Sequence, residues 1–464
     1  MKLLVAFAGF VAVVQGYTNP VTIVGYRMFD NKTGTSFAVK GIDYYPRPNS
    51  GSLNLNNLDL FTDAYYDVWK DDIEYLAATG MYALIDLAAS CTNCSVTGDP
   101  YPNCYSTTLR ERGREIILAF SKYDNVLAFS AGNEVNNEVP NDASINAPCQ
   151  KKFVRDMRQF IGECPFIRKI PVGLVVSDHD VVKNNRQVNA KYYNCRTSTD
   201  KYENAEWYGI NAYQYCNHDE KTLEAASGFH QLQIDFLSFG MTIPVMLTEF
   251  GCLNEKFPKL GNYEAQRTWL QVEWLFSSEF RKVFSGGFAF EYSTEMVNVQ
   301  TGFPFTSFDK GNYGLGYYKP VNCDHKGVKC EYVPLPNYQN LTTQYQKVRL
   351  TNESLMSVFK SDRTTFPTCP SGFPKLSDIQ WLSDSIVSKF KCPSVVQAFT
   401  CPGQQSSGTW VVGSGSTSKS PTGSSGSSSG SSPASTPTTN EARNQLSLFI
   451  STVCIALLSV IMLL

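Results

Sequence analysis

Short apolar runs rich in branched and aromatic side chains recur between residue 22 and about residue 320, separated by amphipathic stretches with helical spacing. The strand candidates are Phe37–Tyr45, Tyr82–Ala88, Val126–Glu134, Lys169–Ser177, Ala205–Tyr215, Ile243–Gly251 and Gly286–Tyr292. Helical spacing occupies Leu109–Ser121, after Asn103–Thr107, and Gln150–Ile161, after the Asn146–Pro148 turn. Strands that alternate with helices predict βαβ units and a parallel sheet. Roughly 300 residues of this alternation, with no GxGxxG behind the first strand, favour a (β/α)8-type TIM barrel over a doubly wound sheet. Seven strands are found rather than eight, so the expected fold is α/β, a barrel short of one βα unit.

Several of these strands end in polar clusters: Asp43-Tyr44-Tyr45, Gly132-Asn133-Glu134, Asn211-Ala212-Tyr213, Thr248-Glu249 and Glu291-Tyr292. Apolar strands need no charge at their exits for stability, and functional groups of a barrel project from the C-terminal strand ends. Glu134 follows LAFSAGN and Glu249 follows IPVMLT, so each carboxylate rides on a rigid strand. Across a barrel mouth two such groups can approach to roughly 5–5.5 Å, the spacing for retaining glycoside chemistry, with one protonated and one anionic. The other reading is that each glutamate salt-bridges a rim cation. Asn133 favours the first, because an amide beside the acid can hold a sugar 2-hydroxyl.

The chain has 464 residues, 42% hydrophobic and 18% charged, enough for a large core. Forty Lys+Arg against 42 Asp+Glu leave no basic surplus for nucleic acid. Its four His show neither HxH nor HExxH spacing, so no metal site and no cofactor are expected. Residues 1–16 carry Met1-Lys2, an apolar run from Leu3 to Val14 and a Val14-Gln15-Gly16 cleavage site, the pattern of a signal peptide. Residues 403–440 turn to Ser/Gly/Thr/Pro low complexity, expected to be an extended linker. Residues 441–464 end in the apolar run Leu446–Leu464, the pattern of a glycosylphosphatidylinositol (GPI) attachment signal, with Ala434 or Ser435 as the attachment residue. Fourteen cysteines, thirteen of them before that tail, fit disulfides in an oxidising compartment and leave one over. Sequons at Asn31, Asn93, Asn340 and Asn352 suit a glycosylated protein on the outer face of the plasma membrane.

The stretches KGIDYYPRP (40–48), AFSKYDNVLAFSAGNEV (119–135), FVRDMRQFI (153–161), RKIPVGLVVSD (168–178), WYGINAYQYC (207–216), IPVMLTEFGC (243–252), SGGFAFEYS (285–293) and NYGLG (312–316) stand in one order over almost 280 residues. In them the chain resembles the fungal-type β-1,3-glucanosyltransferases of glycoside hydrolase family 72. The resemblance implies that Glu134 is the acid/base and Glu249 the nucleophile. It further implies that Asn133 supports the 2-hydroxyl, that Tyr213 positions the reacting sugar, and that Tyr292, Asp43 and Tyr44 line the cleft. The implied pairings are Cys216 with Cys252, and Cys195 with Cys323 or Cys330. The implied reaction cleaves an internal β-1,3-glucosidic bond and transfers the new end to another β-1,3-glucan, so donor and acceptor glucans are the expected partners.

The chain departs from the family pattern where DDIEYLAATGMYALIDLAA (71–89) runs straight from a helix into a strand, leaving no room for the usual βα unit with its Ile-Arg-x-Tyr-like motif. Val68-Trp69 stands where half of a cysteine pair is common, and Tyr45 where Gln is common. Either a coding segment is lost or the member is diverged, which keeps two alternatives: a catalytically impaired glucan-binding wall protein, and a retaining endo-β-1,3-glucanase. The expected domains are a barrel over 17–320 and a Cys-containing extension over 321–402. No feature of the sequence fixes the oligomeric state.

Overall fold

In the computed structural model, residues 18–395 are described except 46–48, 50–71, 78, 90, 179–184, 255–258, 261–262, 265–266, 297–298, 300–301, 307–310, 325–326 and 351. The signal-peptide, linker and GPI-signal assignments lie outside the described residues, as does attachment at Ala434 or Ser435.

Three antiparallel strands come first: β1 (Val21–Val24), β2 (Arg27–Asp30) and β3 (Ser36–Phe37). The main sheet holds β4 (Val39–Ile42), β5 (Ala83–Asp86), β6 (Val126–Asn133), β7 (Val172–Ser177), β8 (Tyr208–Asn211), β9 (Val245–Phe250) and β12 (Phe284–Ala289). Its order is β4-β12-β9-β8-β7-β6-β5, with every pair parallel. First and last strands thus lie side by side, as in a barrel, and the two edges are β4 and β5. Among the described residues no strand joins those edges, at the point in the chain where the sequence lacks one βα unit. All seven expected strands are present, and each is covered by the range read from its apolar run or overlaps it.

The strands are apolar because both faces are covered. β7 (VGLVVS) is buried throughout, and β6 (VLAFSAGN) is buried until Asn133. One layer of core lies inside the barrel, where Val39, Leu127, Val175, Trp207 and Met246 meet Met28 of the N-terminal hairpin, which plugs the base. The larger layer lies between sheet and helices. There α1 (Thr107–Phe120) is capped by Ser106 Oγ, which accepts from Leu109 N at 3.1 Å. Its inward face, Leu109, Gly113, Ile116, Ile117 and Phe120, packs on α2 (Ala147–Glu163). Gly286 is needed for sheet closure: its φ is +89°, and a Cβ there would lie 2.1 Å from Val39 O on the neighbouring strand.

Around the barrel follow α3 (Asn185–Asn194), α4 (Ser227–Phe239), two short strands β10 (Lys259–Leu260) and β11 (Tyr263–Glu264), and α5 (Leu270–Leu275). A hairpin of β13 (Gly316–Lys319) and β14 (Glu331–Pro334) leads to α6 (Pro336–Lys347). The boundary expected at 320 falls inside this hairpin. α6 packs back on the sheet, with Tyr345 OH donating to Gly41 O at 2.8 Å, so it is the last helix of the barrel.

Residues 352–395 form an irregular strap on the outside. Trp381 is buried against Tyr105, and Lys152 Nζ donates to Asp156 and Asp384, both at 2.7 Å. Two disulfides fasten the strap, Cys164–Cys392 and Cys195–Cys369. The pairing of Cys195 with Cys323 or Cys330 is therefore corrected. Those two cysteines stand in the connection of the β13–β14 hairpin, 5.1 Å apart at Cα, and pair with each other. Cys195, just past α3, meets the strap instead. Cys91–Cys94, Cys104–Cys149 and Cys216–Cys252 complete the set among the described residues.

Cys195–Cys369 closes 174 residues, so replacing both by Ser costs about 2–5 kcal/mol of stability. Urea denaturation measures the loss, and non-reducing peptide maps of the native protein yield a Cys195–Cys369 peptide and no Cys195–Cys323 peptide.

Candidate active site

The C-terminal ends of the main-sheet strands carry a ring of acids: Asp43 after β4, Asp86 ending β5, Glu134 after β6, Glu249 in β9, and Glu291 after β12. Register brings the key positions level. Asn133 of β6 pairs with Val175 of β7, Ser177 of β7 with Asn211 of β8, and Asn211 with Glu249 of β9.

Glu134 has left-handed backbone, φ 52° and ψ 30°, at the point where β6 breaks into a short 3-10 turn. Both of its oxygens are held by amides: Asn137 Nδ2 donates to Oε2 at 2.7 Å and Asn211 Nδ2 to Oε1 at 2.8 Å. Asn211 Nδ2 also reaches Asn133 Oδ1 at 3.0 Å, and Thr248 Oγ1 donates to Asn211 Oδ1 at 2.8 Å. Glu249 Oε2 accepts from Tyr213 OH at 2.6 Å. A single side chain, Asn211, therefore spans from Glu134 to the residue preceding Glu249.

Glu249 is raised to about 8: burial is the largest cause, the Tyr213 hydrogen bond opposes it, and the negative charges of Glu134, Glu295 and Asp86 add to it. Asp43 and Glu291 stand well above the usual carboxylate range for the same reasons, burial first and then neighbouring acids. One oxygen of each is buried without a hydrogen-bond partner. The buried Arg267 gives its guanidinium hydrogen bonds to carbonyls and not to these acids: Nη1 donates to Gly251 O and Phe290 O, and Nη2 to Tyr313 O. No cluster of three or more His, Cys, Asp and Glu able to hold a metal occurs among the described residues.

Aromatic rings wall the β4–β12 side. Tyr44, 42% exposed, meets Tyr292 edge-on at 5.7 Å, and Tyr332 of β14 stacks on Tyr292 at 4.4 Å and 5°. Tyr213 meets Tyr313 at 5.5 Å. The Cys216–Cys252 disulfide ties together the loops that follow β8 and β9, next to Tyr213 and Glu249. The structure thus brings Asp43, Asn133, Glu134, Tyr213 and Glu249 to one mouth, with Tyr44 and Tyr292 at its side. The polar pattern marks Asn211, Thr248 and Glu291 as strand ends without a task, and it passes over Asn137, Ser177 and Tyr332. Their roles depend on cross-strand neighbours, which only register supplies.

The family model described as glucanosyltransferase, glycoside hydrolase family 72, matches residues 53–348. The chain belongs to this family. The strap over 352–395 lies beyond the matched residues. The chain is 28% identical over 357 residues to the 1,3-beta-glucanosyltransferase GAS5 of Saccharomyces cerevisiae, covering 71% of this chain and 63% of that protein. It is 29% identical over 316 residues to the 1,3-beta-glucanosyltransferase PGA4 of Candida albicans, covering 64% of each. It thus spans slightly under two thirds of the length of these relatives. Its fold is similar to that of Saccharomyces cerevisiae Gas2 solved with a small compound, at TM-score 0.55 and 25% identity, covering 76% of this chain and 75% of that one. Gas2p in complex with laminaripentaose aligns at TM-score 0.56 and 24% identity, covering 76% and 75%. The barrel class is shared with these family 72 structures.

A carboxyl whose folded value is raised keeps a proton that the unfolded chain releases, so stability drains away as pH rises from about 4.5 to about 8. Glu249→Gln removes that drain. Thermal melts from pH 4 to 8 should show the variant gaining on the native protein as pH rises, by about 2 kcal/mol at the upper end once screening in the open cleft is allowed for.

Proposed function

We propose that this protein is a retaining β-1,3-glucan transglycosidase, acting on internal β-1,3-glucosidic bonds and passing the new end to a second β-1,3-glucan. The observation that carries the reading is the linkage of two strand-end carboxyls: Asn211 donates to Glu134 and accepts from Thr248, the residue before Glu249, so one amide bridges the strands that bear them. Glu134 is assigned as acid/base, Glu249 as nucleophile, Asn133 as the partner of the sugar 2-hydroxyl, and Tyr213 as the donor that orients Glu249. Relatives that carry the name 1,3-beta-glucanosyltransferase support the substrate class, and so does a fold neighbour solved with laminaripentaose.

Attack begins from the form in which Glu249 is ionised, which the Tyr213 hydrogen bond favours. The Glu249 carboxylate adds to the anomeric carbon while the proton on Glu134 goes to the departing glucan oxygen. A glucosyl-enzyme ester results. Glu134, now a base, takes the proton from the acceptor hydroxyl as that oxygen displaces Glu249, and the starting protonation state returns. Tyr44, stacked Tyr292 and Asp43 are assigned to the cleft wall, where aromatic faces hold glucan and limit the entry of water.

The same reading puts the protein on the outer face of the plasma membrane and in the wall, held by a GPI anchor. Six disulfides among the described residues support an oxidising compartment, and no described helix is long and apolar enough to cross a membrane. Asn31, Asn93 and Asn352 are exposed and are assigned glycans, whereas Asn340 is half-buried in α6 with Nδ2 donating to Arg267 O at 3.2 Å. Deglycosylation followed by mass measurement should therefore release three N-glycans and not four.

Incubating the ectodomain with reduced laminari-oligosaccharides decides the activity. Longer products are expected, and both Glu249→Gln and Glu134→Gln should lower their formation by about 10³-fold or more. Shorter products alone would mean an endo-glucanase, and glucan binding without any product would mean an impaired binding protein.

A further inference from the structure

We propose that Thr248 and Ser177 are positioning residues for this site: their hydroxyls set the orientation of two asparagine amides, and those amides set how Glu134 and Asn133 face the sugar. The proposal rests on the assignment of Glu134 as acid/base and Asn133 as the 2-hydroxyl partner. Glu134 is gripped from both sides by the same kind of unit. On one side Thr248 Oγ1 donates to Asn211 Oδ1 at 2.8 Å, and Asn211 Nδ2 donates to Glu134 Oε1 at 2.8 Å. On the other, Ser177 Oγ donates to Asn137 Oδ1 at 2.6 Å, and Asn137 Nδ2 donates to Glu134 Oε2 at 2.7 Å. Thr248 and Asn211 are each less than 9% exposed, so water cannot readily replace the Thr248 hydroxyl; Ser177 is as deeply buried, and its partner Asn137 lies exposed at the rim.

A side-chain amide has two ends of nearly equal size and opposite polarity, so hydrogen bonds and not shape choose its orientation. With Thr248 donating to its oxygen, Asn211 must turn its nitrogen to Glu134 and to Asn133 Oδ1, 3.0 Å away. Asn133 then has its own oxygen occupied and turns its NH2 toward the open cleft. A donor, not an acceptor, is thereby presented to the oxygen of a 2-hydroxyl, where a hydrogen bond strengthens as the sugar takes on oxocarbenium character. Without the Thr248 hydroxyl, Asn211 Oδ1 is a buried acceptor with no partner, and the amide turns to relieve it. The Ser177 branch does not touch Asn133, and it steadies only the proton-carrying group. The two branches therefore predict different kinetic signatures.

The test uses two donors, 4-nitrophenyl β-laminaritrioside and its analogue lacking the 2-hydroxyl on the glucose that bears the aglycone, together with laminari-oligosaccharides. Nitrophenolate leaves without a proton, so aglycone release reports the 2-hydroxyl contact and oligosaccharide cleavage reports the acid step as well. The native protein should favour the hydroxylated donor by about 100-fold or more in kcat/KM. In Thr248→Val that preference should shrink about tenfold, through kcat and not KM, and Thr248→Ser should restore it. Ser177→Ala should slow oligosaccharide cleavage about tenfold while leaving nitrophenolate release within about twofold. Equal losses on both nitrophenyl donors in Thr248→Val, or no loss, overturn the Asn133 branch. Parallel losses on both leaving groups in Ser177→Ala, or none, overturn the Glu134 branch. Turnover by Glu249→Gln at the native rate, or none by the native protein, overturns the acid–nucleophile reading itself and not the relay alone.

Discussion

Carboxyl groups gathered at the mouth of a parallel sheet repel one another, and here the repulsion is met by neutral donors. Asp43, Asp86, Glu249 and Glu291 all sit above the ordinary carboxylate range, chiefly because burial disfavours their charge. A buried arginine beside Glu249 would cancel the repulsion, but it would also lock the carboxylate into an ion pair and blunt it as a nucleophile. Arg267 is close enough to feel Glu291, yet it spends its protons on the carbonyls of Gly251, Phe290 and Tyr313. It stitches the rim loops together while Tyr213, Asn137 and Asn211 handle the acids. Tyrosine and amide donors favour the anion without neutralising it.

Such an arrangement needs strand ends that do not drift. The interior layer and the N-terminal hairpin close the base of the barrel, and the helices clamp the outside, so motion is left to the loops at the mouth. The Cys216–Cys252 bond then restrains two of those loops directly beside Glu249. The edges at β4 and β5, unpaired with each other among the described residues, lie on the opposite flank from β8 and β9, which carry Asn211, Thr248 and Glu249. The shortened sheet therefore leaves the chemistry-bearing strands with neighbours on both sides.

The seven strands were legible because parallel strands covered on both faces become continuous apolar runs, and Glu134 and Glu249 were legible because charge at the end of such a run has no packing purpose. Asn211 and Thr248 carry the bridge between those glutamates, yet each looks like an ordinary polar residue until strand register sets it beside its partner. Ser177 and Asn137 are hidden for the same reason. The partner of Cys195 could not be read because the strap has no periodic pattern. Its hold comes from Trp381 on Tyr105, Lys152–Asp384 and two disulfides, each of which joins residues more than 150 apart in the chain. Tyr332 reaches the cleft wall only because a hairpin folds back, which composition does not encode.

Cys164 closes the far end of α2, a helix that starts at the mouth beside Glu134 and runs back to the base, and it is this end that Cys392 joins. The last disulfide of the strap therefore sits at the underside of the barrel. A pull on the end of the strap thus enters the body through one covalent sulfur bridge into a core helix, so such tension is borne by the scaffold and not by the strand ends at the mouth.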